Sequence, residues 1–284
     1  VEALNLALFQ EMDRDDRVCL MGEDIGLNGG VFRVTKDLHS KFGDSRVMDT
    51  PLAECGAIGT AVGMAVYGIR PVVEIQFSGF TMQAFDQIEQ NMARLRNRTR
   101  GRYKIPIVLR TPYGGGIRAV EHHSESREAY WAHTPGLKVV IPSGPRNARA
   151  LLVAAIREDD PVVFYEPKSI YRAFREEVPD DPEVMEIGKA HIVKEGSDIT
   201  LISYGAMMRP CREAVMDLDE DHGVNVELID LQTISPMDTQ TLADSVKKTG
   251  RCVIVNEGNR TCGVAAEIIA RLNESVFEYL EAPV

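Results

Sequence analysis

The sequence lacks several features that would assign a function class at once. It has no surplus of positive charge: 32 Lys and Arg stand against 43 Asp and Glu, a net charge of −11. Nucleic acid needs net cationic contacts with its phosphates, so the charge argues against that partner. No long apolar run is present. The stretch Ala53 to Ile69 is apolar but too glycine-rich and too short for a convincing membrane span. Cysteine is sparse, five residues with no C-x-x-C spacing. An odd count without a pattern argues against a disulfide framework and for reduced thiols in the cytosol. The sequons Asn97-Arg98-Thr99 and Asn259-Arg260-Thr261 then carry little weight. There is no amino-terminal signal pattern, no repeat, no low-complexity tract and no G-x-S-x-G nucleophile elbow.

What is present is a globular composition. The 284 residues are 44% hydrophobic and 26% charged, enough for one large domain or two ordinary ones. Short apolar runs alternate with helical patterns. VCLMGED, PVVEIQF, IPIVLR, LKVVIP and PVVFYE read as one set of strands, and ITLISYG, NVELIDL and CVIVNEG as a second. This rhythm predicts an α/β fold with a mostly parallel sheet. Between the sets lies a charged, proline-rich stretch, YRAFREEVPDDPEVMEIGKA. The expected organisation is a first α/β domain over 1–175, a linker over 176–190 and a smaller α/β domain over 191–284.

Ligands of such sheets collect beyond the carboxyl ends of the strands, so the loops there matter most. One is TPLAECG, residues 50–56. Thr50 and Pro51 suit a helix start, and Glu54 stands alone at the head of an apolar, small-residue run. A capping box would place the acid at Ala53, one residue earlier, so that motif does not account for Glu54. In GEDIGLNGGVF, Glu23 and Asp24 leave a strand ahead of two glycines, which is ordinary turn chemistry. In EIQFSGFTMQAFDQIEQNMARL, Gln76 and Phe80 precede a helix striped by Ala84, Ile88, Met92 and Leu95. Packing is the default role for Phe80, and a ligand contact the alternative.

A fourth loop, RTPYGGGIRAVEHHSES, joins three glycines to Glu121, His122, His123, Ser124 and Glu125. The glycines allow motion or close approach to a ligand, and histidine serves acid–base chemistry near neutral pH. A zinc site lacks a third ligand, and a surface loop is the competing reading. The basic run Arg94, Arg96, Arg98, Arg100, Arg102 and Lys104 is assigned to solvent, to a helix terminus or to an acidic partner protein.

Taken in order, GED, NGGVF, FGDSRVMDTPLAE, GIRPVVEIQF, AFDQI, PGLKVVIPS and AIREDDPVVF resemble the beta subunit of the thiamine-diphosphate-dependent 2-oxo acid dehydrogenases. These are the decarboxylating components of pyruvate and branched-chain complexes. GKAHIVKEGSDITLISYG, IDLQTISPMD and EIIARL resemble that family's transketolase-like carboxyl-terminal domain. The resemblance covers most of the chain and ends at APV, ahead of the family's usual short tail, so a truncated or disordered tail is expected.

The resemblance implies a pyrimidine-binding domain followed by a smaller transketolase C-terminal-like domain. It gives Glu54 the role of hydrogen-bonding the aminopyrimidine ring nitrogen, which favours the imino tautomer that generates the thiazolium nucleophile. Leu52, Gln76 and Phe80 match positions lining the pyrimidine pocket. Glu23 matches an acid of a relay between paired sites. His123 matches the histidine of an H-S-Q motif near the reacting carbon, although Glu125 replaces the glutamine here and His122 precedes. A monovalent cation, potassium, is implied at the carbonyls of Ile107, Ala155, Ile156, Glu158 and Asp160.

The family's GDG and NN signature for magnesium and diphosphate is missing from the sequence. The resemblance therefore implies half a site, with magnesium held by an alpha subunit in an alpha2-beta2 heterotetramer, and an isolated chain without activity. The reading is oxidative decarboxylation of a 2-oxo acid with acyl transfer to lipoyl-lysine of an acyltransferase core. The expected compartment is the cytoplasm, or an organelle matrix after removal of a targeting segment. The alternatives are an acetoin dehydrogenase beta subunit, a complete transketolase-type enzyme, which the missing signature disfavours, and a non-catalytic scaffold.

Overall fold

The computed structural model describes residues 1–284. Its first sheet holds β1 (Val18–Gly22), β2 (Val47–Asp49), β3 (Arg70–Glu74), β4 (Val108–Tyr113), β5 (Lys138–Val140) and β6 (Val162–Pro167). These run parallel to one another, in the order β5-β6-β4-β3-β1-β2. A second sheet contains β7 (His191–Lys194), β8 (Ile199–Ser203) and β9 (Val226–Asp230). Next in the chain, β10 (Thr233–Ser235) leaves that sheet and pairs antiparallel with β5, adding a seventh strand to the first sheet. The last strand, β11 (Cys252–Val255), completes the second sheet in the order β11-β8-β9-β7, with β7 antiparallel. The α/β class and the mostly parallel sheet follow the sequence expectation, and all eight strands read from the sequence form.

The helices are α1 (Glu2–Arg14), α2 (Leu38–Phe42), α3 (Glu54–Val66), α4 (Leu95–Arg98), α5 (Glu128–Ala132), α6 (Pro145–Arg157), α7 (Met208–His222), α8 (Thr239–Thr249) and α9 (Val264–Val276). β1, β3, β4 and β6 are buried along their whole length, as continuous apolar runs in a covered parallel sheet should be. On one face α1 packs against α6 through Leu4, Leu8, Leu151 and Val153. The cluster on the other face continues from Ile58, Ile88 and Trp131 into Tyr204, Ile229, Leu242 and Ile268 of the second unit. One apolar core therefore spans both sheets.

Two helix expectations are corrected. Helix α3 starts at Glu54, not near Thr50, because the Thr50 amide still donates to the Gly22 carbonyl at the end of β1. Pro51 to Ala53 consequently cross as a loop, and Ala53 caps the helix without a side-chain bond. The stripe after Phe80 is not one α-helix. A 3₁₀ segment, Ser78–Ala84, is followed by a wider, π-wound turn, Gln87–Met92. That winding keeps Ala84, Ile88 and Met92 buried together at four-residue spacing.

The stretch between Tyr171 and Ala190 has no helix or strand after its first turn, yet it is fastened to the first sheet's helices. Arg149 of α6 donates to the carbonyls of Pro179 and Asp180, and Met185 and Ile187 pack on that core. Half of the basic run is paired inside the chain: Arg94 with Glu89, Arg96 with Asp160 and Lys104 with Asp159.

Candidate active site

The carboxyl ends of β1, β2 and β3 open into a pocket of about 530 Å³. Its lining contains Glu23, Leu52, Glu54, Gln76 and Phe80, five residues picked out separately in the sequence. Glu23 follows β1, Leu52 sits in the loop after β2, Glu54 opens α3, and Gln76 and Phe80 follow β3. Ala53, Cys55 and Gln83 complete the wall. Sequence reasoning missed these three, since an alanine, a cysteine and a glutamine at helix ends look like any surface positions.

The start of α3 explains Glu54. It occupies the first helical position, is 9% exposed, and lines the pocket with no side chain of this chain bonded to its carboxylate. A mostly buried glutamate whose carboxylate faces a cavity without a protein partner fits a ligand that donates a hydrogen bond. Burial, then the nearby charges of Glu54 and Asp24, push the Glu23 carboxyl above its usual range. Gln76 lies alongside, its amide within 3.5 Å of the Glu23 carbonyl and 3.4 Å of the Asp24 carboxylate. One side of the pocket is open. Leu52 is 81% exposed although it lines the cavity, so the wall it belongs to ends at the surface.

Phe80 connects this pocket to the histidine loop. The His123 ring lies edge-on to Phe80 at 5.4 Å and to Phe77 at 4.4 Å. Its Nδ1 is buried and unpartnered. His122 is exposed and reaches Phe80 at 6.2 Å. The close seat of the loop depends on Gly79, where a Cβ would come within 2.5 Å of the His122 carbonyl. Ser78 donates to the Glu125 carbonyl at 2.6 Å, and the Glu125 carboxylate pairs with Arg127 at 2.7 Å. Glu125 is thus engaged in an ion pair that a glutamine there would not make.

The five carbonyls proposed for a cation lie around the ends of α6 and the starts of β4 and β6, but four already accept hydrogen bonds. Ile107 accepts from the Val162 amide and Ala155 from the Glu158 amide. Ile156 and Glu158 accept from the Arg70 guanidinium, whose charge stands where a metal cation would compete with it. No cluster of three or more His, Cys, Asp or Glu side chains is arranged to hold a metal ion.

Residues 1–188 match the transketolase pyrimidine binding domain, and residues 188–284 match the transketolase C-terminal domain. The chain is 51% identical over 284 residues to the pyruvate dehydrogenase E1 component subunit beta of Staphylococcus epidermidis, covering 100% of this chain and 87% of that protein. The corresponding subunit of Acholeplasma laidlawii is 50% identical over 282 residues, covering 99% and 86%. The chain belongs to the 2-oxo acid dehydrogenase beta-subunit family. A solved split-gene transketolase, described as an inactive beta4 tetramer, superposes with a TM-score of 0.81 over 97% of this chain and 85% of that one. At 22% identity that likeness concerns the fold alone. Membership makes the chain part of a decarboxylating oxidoreductase whose chemistry depends on thiamine diphosphate, and the matched pyrimidine domain contains the whole pocket around Glu54. No helix is long and apolar enough to cross a membrane.

Proposed function

We propose that the pocket around Glu54 binds the aminopyrimidine half of thiamine diphosphate, and that this beta subunit acts with an alpha subunit on a 2-oxo acid. The relatives' names favour pyruvate as that acid. The supporting observation is Glu54 itself, a mostly buried residue whose carboxylate faces a cavity and has no protein donor. Bound thiamine diphosphate supplies a carbon nucleophile and an electron sink for decarboxylation.

In this reading Glu54 accepts the hydrogen bond of a protonated ring nitrogen and holds that proton in place. Phe80 gives the ring an apolar face, and Gln76 fixes the acidic edge next to Glu23. His123, with a free nitrogen beside Phe80, serves proton transfer during acyl transfer to the lipoyl group of an acyltransferase core. The oxidised lipoyl disulfide accepts the acyl group on one sulfur and a proton on the other. Magnesium and the diphosphate are assigned to the alpha subunit, since the chain lacks both the sequence signature and a carboxylate cluster for them. The exposed edge at Leu52 suits a partner surface closing the pocket. Residues 1–175 would carry the cofactor, with 176–190 as the connector and 191–284 serving subunit packing and docking to the core.

The test is Glu54→Gln in the assembled alpha–beta enzyme. Assembly should persist, while solvent exchange of the cofactor's thiazolium C–H slows by about 100-fold or more. Unchanged exchange would remove Glu54 from the role.

A further inference from the structure

The glycine loop that carries the histidines is fastened by two charged side chains remote in sequence. Glu257, just after β11 of the second sheet, accepts the Gly115 amide at 2.5 Å. Lys168, after β6, donates to the Gly114 carbonyl at 2.5 Å. Gly114 has φ +79°, and a Cβ there would stand 2.5 Å from the Glu257 carboxylate, so the backbone is laid directly on that acid. The Gly114 amide donates to the Glu125 carbonyl at 2.9 Å, closing the loop on itself across His122 and His123. Lys168 is 4% exposed, and its ammonium lies over the Phe77 ring at 5.6 Å. That ring touches His123.

The acid has a supporting wall. Tyr204 of the second unit donates to Glu128 of α5 at 3.0 Å, and Gly258 next to Glu257 packs so closely that a Cβ would meet Glu128 at 2.7 Å. Burial holds the Glu128 carboxyl above its usual range and brings the Lys168 ammonium down to about 8. The seam between the units is therefore polar and closely packed where Glu257 enters it.

From this geometry we propose that Glu257, with Lys168 opposite it, is a positioning residue: the second domain sets the glycine loop and through it the placement of His123. The proposal rests on the assignment of His123 to acyl transfer. It gives the second domain a part in the chemistry without any contact with substrate.

The experiment uses the assembled alpha–beta enzyme with thiamine diphosphate, magnesium and a lipoyl domain. Four beta chains are compared: His123→Gln, Glu257→Ala, Glu257→Gln and the double variant His123→Gln/Glu257→Ala. The first readout is kcat and KM for acyl transfer. The second is the rate at which trypsin cuts after Arg118, which lies within the loop. Glu257→Ala is expected to lower kcat by about tenfold or more, the scale set by small misplacements of a working group. KM for the 2-oxo acid should stay within about twofold. Glu257→Gln should restore most of the rate, since its carbonyl still accepts the Gly115 amide. The double variant should be no slower than His123→Gln, and Arg118 should be cut about fivefold faster or more in Glu257→Ala, as expected for a loosened loop. A loss that multiplies in the double variant, or an unchanged rate of cutting, overturns the proposal. A silent His123→Gln would instead remove the histidine assignment, leaving trypsin to decide whether Glu257 orders the loop. Should Glu257→Ala fail to assemble, Lys168→Met cuts the opposite tether and is read by the same two measures.

Discussion

His123 and His122 are adjacent in sequence and differ in surroundings. His123 has an aromatic wall on two sides and a buried, unpartnered nitrogen, while His122 is exposed. Replacing His122 by Ala is therefore expected to leave acyl transfer within about twofold, whereas His123→Gln lowers it by about 100-fold, the lower end for loss of general acid–base help. Steady-state rates of the assembled enzyme measure both. Asp230 offers a pH test. It is fully buried, its Oδ1 has no partner, and burial raises its carboxyl from 3.8 to about 6. The folded value lies above the unfolded one, so the folded chain holds the extra proton between those values. Stability accordingly falls as pH rises from about 4 to 6 and is flat above, with a full cost of about 3 kcal/mol for a shift of roughly two units. Asp230→Asn keeps an acceptor for Ser143 and Asn147, which bond the carboxylate now. Its Tm should exceed that of the parent at pH 8 and lose the advantage toward pH 4.5.

At the scale of elements, the central strands carry an ion cluster with no counterpart in the sequence pattern. Arg110 of β4 lies between Glu74 of β3 at 2.8 Å and Glu166 of β6 at 2.6 Å, all three buried. Arg110→Met would leave two buried carboxylates without their cation. The expected cost is about 3–5 kcal/mol, seen as a lower urea midpoint. What the sequence made legible follows the same physics. Long, uniformly apolar strands announced themselves, because a covered parallel strand has no polar face. β2, β7 and β10 did not, being three or four residues long and partly exposed. Glu54 could be read because an acid is conspicuous on a helix of Gly and Ala. Its helix start could not, since the Thr50 amide goes to β1, a contact between residues 28 positions apart. Glu257 and Lys168 escaped for a like reason. The loop they hold is 142 residues from one and 54 from the other.

For the whole molecule, the pocket is open on the Leu52 side and the sequence carries no GDG or NN signature. The chain alone should show no 2-oxo-acid-dependent dye reduction, and mixing it with its alpha partner, thiamine diphosphate and magnesium should produce it. Chelating the magnesium should abolish that activity while the circular dichroism of the beta chain stays unchanged, because none of its own side chains forms a metal cluster.

The strand β10 also has a bearing on how the protein is made. It comes from the second half of the sequence, yet it covers the outer edge of β5 in the first sheet. While a ribosome is still translating the residues before Thr233, the nascent first sheet has an uncovered edge. An open edge of that kind invites pairing with other chains. The first domain thus finishes folding only after about half of the second has emerged, and a separately expressed 1–188 fragment should aggregate where the full chain does not.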